Sequence, residues 1–301
     1  MELLKPIIYY SIFNYPLKKE EVFLNAKYTN IVEFNNELKI ALDNNFICEK
    51  ENFYSLPGDS DIISKRELGN INAKSAMKIA NEKAKFVSRY FPFVEAIGIS
   101  GSLSKGYFDE KSDVDFFIIT KPNRLWFCRT ILVLYKKIFL FDSEKYFCMN
   151  YFITDDNLKI SEQNRFTATE ITTLMPLYGK EIFELFYNTN IWVKNYFPNK
   201  NADTTKIKTI QKTKFTSLFE QFMDNEIGTF LEKICFKITY SHWKKKFGKS
   251  LGSHFELAFK SSNKVSKHHP QNFQNKVISL LNVKYDLMNK AHNLSLEKEH
   301  V

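Results

Sequence analysis

Apolar residues along the chain change their period several times, and each change marks a different element. Over Asp61–Tyr90, Ala73, Ala76, Ile79, Ala80, Ala84 and Val87 recur every three or four positions, which predicts a long helix closed by Pro92. Two unbroken apolar runs follow, Val94–Ser100 and Phe116–Ile119, of the length and composition of buried strands. Leu125–Leu140 returns to helical spacing, with Arg124, Arg129, Lys136 and Lys137 at polar positions. Tyr146–Thr154 alternates and puts Cys148, Asn150 and Phe152 on one face of a third strand. A helix is predicted from Phe166 to about Leu174, with Thr167 or Thr169 as cap and Pro176 as its stop. Glu181–Asn188 then leads to Trp192–Phe197 and Pro198.

The two ends read differently. Leu3–Phe13, Lys18–Asn25 and Val32–Asn44 suggest three helices, broken at Asn14-Tyr15-Pro16, and Phe46–Leu56 suggests a hairpin with a polar tip. Three helices and a hairpin resemble a winged helix over residues 1–60. The third helix carries Glu33, Glu37, Lys39 and Asp43, a mildly acidic set that suits packing or partner recognition better than a phosphate backbone. Asn199–Lys214 is polar and rich in Lys, Thr and Asn, the composition of a linker. Residues 215–301 read as helices alone. Phe215, Leu218, Phe219, Phe222 and Met223, then Ile227, Phe230, Leu231, Ile234 and Ile238, repeat at helical spacing and are expected to be core. The cluster Ser261–Pro270 holds Lys264, Lys267, His268 and His269; it reads as an interhelical loop, with contact to a phosphate or acceptor as the alternative.

Composition narrows the setting. An apolar content of 44% in 301 residues is enough for a substantial core. Leu125–Phe141, the most apolar stretch, is interrupted by Arg129, Lys136 and Lys137, so no spanning segment and no membrane partner is expected. The start of the chain has neither a basic cluster nor a long apolar run, so no signal peptide is read there. Cys48, Cys128, Cys148 and Cys235 are scattered, which argues for reduced thiols rather than zinc, and the expected location is cytoplasmic. A net charge of +9 attracts phosphate-bearing partners; nucleic acid is one, though charge alone supports it weakly.

The densest chemistry lies at residues 99–119. Gly101-Ser102 forms a turn of small residues after one apolar run, and Ser112-Asp113-Val114-Asp115 enters the next. Asp113 and Asp115, two apart on a strand, project to the same face about 6.5–7 Å apart along it. Paired carboxylates suit a hard divalent cation, and a small-residue turn beside them lets a phosphate approach the backbone. This spacing resembles the signature of the DNA polymerase beta-like nucleotidyltransferase superfamily. The resemblance implies an α+β fold, a mixed sheet with flanking helices, at about 61–198. It also implies transfer of a nucleoside monophosphate, AMP by default, from an NTP such as ATP with Mg²⁺ to an acceptor. Residue by residue, it gives the nucleotide to Gly101, Ser102, Lys105 and Ser112, and the metal to Asp113 and Asp115.

Catalytic members of that superfamily carry a third acid on a later strand. The polar residue available there is Asn150, which can ligate through its oxygen but brings no charge and no base. Asp142, Glu144, Asp155, Asp156 and Glu170 are near enough in sequence to substitute. Three readings stand: a working transferase, a weakened nucleotidyltransferase-like regulator whose winged-helix unit contacts DNA or a protein, or a sensor that binds a nucleotide without transferring it.

Overall fold

The computed structural model describes residues 1–58, 61–143, 145–268 and 272–300, so Glu144, His269 and Pro270 lie outside the described residues. The chain opens with helix α1 (Leu4–Ser11), strand β1 (Leu17–Lys18), helices α2 (Lys19–Leu24) and α3 (Ile31–Asp43), and strands β2 (Cys48–Lys50) and β3 (Phe53–Ser55). The three strands form an antiparallel sheet in the order β1-β3-β2. The helices and the hairpin match the apolar pattern. Strand β1 is two residues long and has no readable period.

The middle of the chain runs α4 (Ile62–Tyr90), β4 (Val94–Ser100), α5 (Gly101–Ser104), β5 (Asp115–Thr120), α6 (Leu125–Phe139), β6 (Cys148–Thr154), α7 (Arg165–Thr173), β7 (Met175–Tyr178) and α8 (Lys180–Thr189). The remainder comprises α9 (Lys214–Met223), α10 (Glu226–Leu251), α11 (Phe255–Ala258), β8 (Ser261–Ser262), β9 (Val265–Lys267) and α12 (Phe273–His292). Six strands form one mixed sheet in the order β7-β4-β5-β6-β9-β8, with β5 and β6 parallel and the other pairs antiparallel. Alternation along β5 explains why both faces are covered. Phe116 and Ile118 join Val87, Ile97, Trp126 and Leu132 on the α4–α6 side. Phe117 and Ile119 join Ile153, Ile171, Phe183 and Phe186 on the α7–α8 side.

Local caps set several boundaries. Asn164, rather than Thr167 or Thr169, caps α7: its side chain accepts from the Thr167 amide while the Thr167 hydroxyl accepts from the Asn164 amide. The two oxygens of Glu232 accept from the Trp126 and Phe127 amides at 2.9 and 2.8 Å, so α10 supplies the anion that the start of α6 favours.

Four expectations are corrected. Pro176 does not merely stop a helix; it lies in β7, an outer strand where a missing N–H is tolerated. Residues 215–301 are not helical throughout, because the Ser261–Lys267 stretch folds as the β8–β9 hairpin and extends the sheet at β6 through Tyr151↔Lys267 and Ile153↔Val265. Strands of two and three polar-rich residues carry no alternation to read; β9 forms because β6 offers an unpaired edge. The apolar positions of α9 and α10 are not all core: Phe215, Leu218, Phe222, Ile227, Phe230 and Ile238 are exposed. Residues 199–214 lie against the molecule, with Ile207 buried, the Lys208 carbonyl accepting from the Gly179 amide and Lys212 paired with Glu220. Helix α12 returns to the N-terminal unit, where Val277, Leu281 and Tyr285 share a core with Leu4, Ile8 and Phe34.

Candidate functional site

One edge of the large sheet gathers the chemistry. Strand β4 ends there at Ser100, β5 begins there at Asp115, and the parallel neighbour β6 begins beside it at Cys148. Strand β9 runs antiparallel and leaves the sheet at the same edge, where the His268 amide donates to the Asn150 carbonyl at 2.8 Å. The β8–β9 hairpin thus borders the site.

Gly101 sits at φ +68°, and a Cβ placed there would lie 2.2 Å from Asp115 Oδ2. The turn is closed against the carboxylate so tightly that only hydrogen fits. Leu103 is fully buried and anchors the segment that follows. The Ser102 carbonyl accepts from the Lys105 and Tyr107 amides, while its half-buried hydroxyl has no hydrogen-bond partner among the described residues. Lys105 Nζ donates to the Gly101 carbonyl at 3.0 Å and pairs with Glu170 at 2.8 Å. Ser112 is engaged in its own turn: its hydroxyl donates to Asp109 Oδ1 at 2.7 Å and accepts from the Asp109 amide.

Asp115 is surrounded by groups that oppose its ionisation. Its pKa is pushed up to about 6, first by burial and then by the nearby Asp113 carboxylate, with Glu170 adding to the effect; a hydrogen bond from Cys148 and the Lys105 charge work against it. Asn150 Nδ2 donates to Asp115 Oδ1 at 2.8 Å, so the amide does face Asp115 as the strand alternation requires. Of the other candidates for a third acid, Asp142, Asp155 and Asp156 are elsewhere. Asp142 pairs with Lys136 and Asp156 with Lys264. The Asp155 amide bonds the Thr120 carbonyl, at the far end of β5 and about 17 Å along the strand from Asp115. Glu170 contributes to the field at Asp115 but is tied to Lys105.

Among the described residues, no group of three or more His, Cys, Asp or Glu side chains could hold a metal ion. Two carboxylates do fit one cation: the Asp113 charge raises the cost of ionising Asp115, the glycine leaves the Asp115 oxygen room, and a nucleotide-borne Mg²⁺ commonly takes one or two carboxylates plus phosphate oxygens. A second cation would need a further carboxylate here.

Sequence reasoning missed Lys200, which it placed in a linker. Burial, and then the charge of Lys105, lower its pKa to about 7, with Glu170 and Glu21 opposing; its Nζ lies 3.4 Å from Thr172 Oγ1 and 4.9 Å from the Phe197 ring centre. No spacing signal could have found it, because 95 residues separate it from Lys105.

Residues 80–213 match the family described as nucleotidyltransferase domain, and this part of the chain is such a domain. No curated protein and no solved structure matches the chain. No described helix is long and apolar enough to cross a membrane.

Proposed function

We propose that the chain transfers a nucleoside monophosphate, AMP in the first case to test, from an NTP such as ATP to an acceptor hydroxyl or phosphate, with pyrophosphate leaving. The observation that supports this best is the closure of the Gly101-Ser102 turn onto Asp115, with Asp113 on the same strand entry. Ser102 would receive the triphosphate through its unengaged hydroxyl, and Asp113 and Asp115 would hold Mg²⁺. When bound, the cation supplies neutralisation of charge developing on the phosphoryl oxygens. Asp115 contributes by being ionised above about pH 6, and the Asn150 amide fixes the orientation of its carboxylate. Residues 1–60 are read as a winged-helix-like unit for packing or partner contact, and the location as cytoplasmic. Purified protein given an NTP and Mg²⁺ should release pyrophosphate with a suitable acceptor, and Asp113→Ala and Asp115→Ala should each abolish that release while remaining folded. Release that persists in both variants would refute the assignment.

A second reading is favoured by Asn150. With an amide where a third acid is expected, the site could bind an NTP and its cation without turnover and act as a sensor or regulator. Nucleotide binding that depends on Mg²⁺ and on Asp115, without pyrophosphate release for any acceptor pool, would decide for this reading.

A further inference from the structure

Helices α9 and α10 turn their apolar stripes outward. Phe215, Leu218 and Phe222 are 78%, 64% and 68% exposed, and Ile227, Phe230 and Ile238 are 58%, 62% and 65% exposed. At ~100° per residue the three on α9 fall within about 60° of arc and the three on α10 within about 80°, so each set forms one stripe. The stripes follow one another across a two-residue turn, and the inner faces of both helices pack on α6 and the sheet through Met223, Trp243 and Phe219. Scattered exposed apolar residues are ordinary; six large ones on the outer faces of two consecutive helices are not.

The charges beside the stripe say what covers it. Lys233, Lys237 and Lys244 lie along one flank of α10, and Lys245 stands in line with the stripe beyond Ile238; all four are exposed. Glu226 is the carboxylate on that flank, and the neighbouring Asp224 is held by Lys121. A second copy packed antiparallel through this face would bring the two lysine rows together. We infer that the α9–α10 face docks on an anionic membrane surface, with the aromatic and aliphatic stripe entering the headgroup boundary and the lysines meeting acidic lipid. An apolar stripe bordered by lysine is the pattern by which helices lie in a bilayer interface without spanning it. A surface contact of this kind requires no spanning segment.

The test is co-flotation of the full chain with vesicles made of equal parts phosphatidylcholine and phosphatidylglycerol, and with vesicles of phosphatidylcholine alone. Binding should be confined to the anionic vesicles and weaken with added salt. The Phe222→Asp/Phe230→Asp variant should lose about ten-fold or more of its partition, as expected when two buried aromatic anchors are removed. Both positions are exposed, so its thermal melt should match the parent, and Lys233→Glu/Lys237→Glu gives an independent reading of the charge. Absence of binding to either vesicle, equal binding to both, or binding untouched by these variants would each overturn the proposal. So would a concentration-dependent dimer that the aspartate variant dissolves in the absence of vesicle binding, since a second copy would then be the occupant. None of these outcomes depends on nucleotidyl transfer.

Discussion

Replacing Gly101 by Ala tests how the phosphate turn and the aspartate are joined, and Gly106→Ala separates the two reasons for glycine. Both glycines have positive φ, +68° and +74°. A Cβ at Gly106 would meet nothing nearer than Asn70 Nδ2 at 3.8 Å, whereas one at Gly101 would overlap Asp115 Oδ2 at 2.2 Å. The backbone cost of a left-handed alanine, about 1–2 kcal/mol, is common to both variants. In Gly101→Ala the Asp115 carboxylate must also rotate away and give up the 2.8 Å bond from Asn150. A hydrogen bond to a charged group contributes about 1.5–3 kcal/mol. Gly101→Ala should therefore lose about 2.5–5 kcal/mol and Gly106→Ala about 1–2 kcal/mol, measured by urea unfolding at neutral pH without divalent ions. Calorimetric titration with an NTP and Mg²⁺ should show affinity lost in the first variant and largely kept in the second. Equal destabilisation of the two, within about 0.5 kcal/mol, would refute the claim that the turn is closed by contact with Asp115.

Protonation of Asp115 sets a second expectation. Its carboxyl holds its proton to about pH 6 in the folded protein against 3.8 unfolded, so its contribution to stability is complete below pH 3.8 and is lost as pH rises through 6. The parent should lose up to about 3 kcal/mol relative to Asp115→Asn across that window in metal-free buffer. Parallel pH dependences would sink the assignment. Asn150→Asp would place another carboxylate against Asp115 Oδ1; without divalent ions it should destabilise by about 1–3 kcal/mol, and Mg²⁺ should recover the loss. A Mg²⁺ response equal to the parent's would mean that position 150 is not beside the cation. Arg66 is buried between the Tyr15 and Phe53 rings, at 4.3 and 4.7 Å, and bonds both oxygens of Glu21. Arg66→Met should cost about 2–4 kcal/mol in thermal or urea unfolding, and a loss under 1 kcal/mol would show the stack to be incidental.

The elements that sequence made legible are those with a sustained period. Helices α4 and α6 and strands β4, β5 and β6 fall within a few residues of their predicted positions, because each is long enough for burial to impose a rhythm. Asp115 and Asn150 could be placed on one sheet edge for the same reason, since strand alternation fixes side-chain direction before any tertiary contact is known; Asp113, expected on the same strand, instead precedes β5, which begins at Asp115. Strands β1, β7, β8 and β9 were not legible. Each has two to four residues and exists because a neighbouring strand presents an open edge, which is a property of the assembled sheet. The helical stripes of α9 and α10 were legible as stripes but not as surface, since periodicity shows that a face is apolar and leaves open which side it takes.

Long-range ties complete the site in a way no local pattern encodes. The segment after Gly101 is fastened from three directions: Tyr15 donates its hydroxyl to the Lys105 carbonyl at 3.2 Å, Asn70 donates to the Gly106 carbonyl at 2.5 Å, and Glu170 holds Lys105 from α7. A fourth bond joins the Phe108 amide to the Gly69 carbonyl at 3.1 Å. Tyr15 is itself fixed by the Arg66 guanidinium against its ring, so the N-terminal unit and α4 hold the same loop together. Loops of small residues are ordinarily the mobile parts of a fold, because few contacts restrain them. Here the restraints come from segments 15, 70 and 170, and they converge on a stretch whose glycine already admits a single arrangement against Asp115. The position of the turn relative to the two aspartates is therefore set by the whole assembly. This is why the N-terminal unit, read from sequence as a separate module, belongs to the physical support of the site.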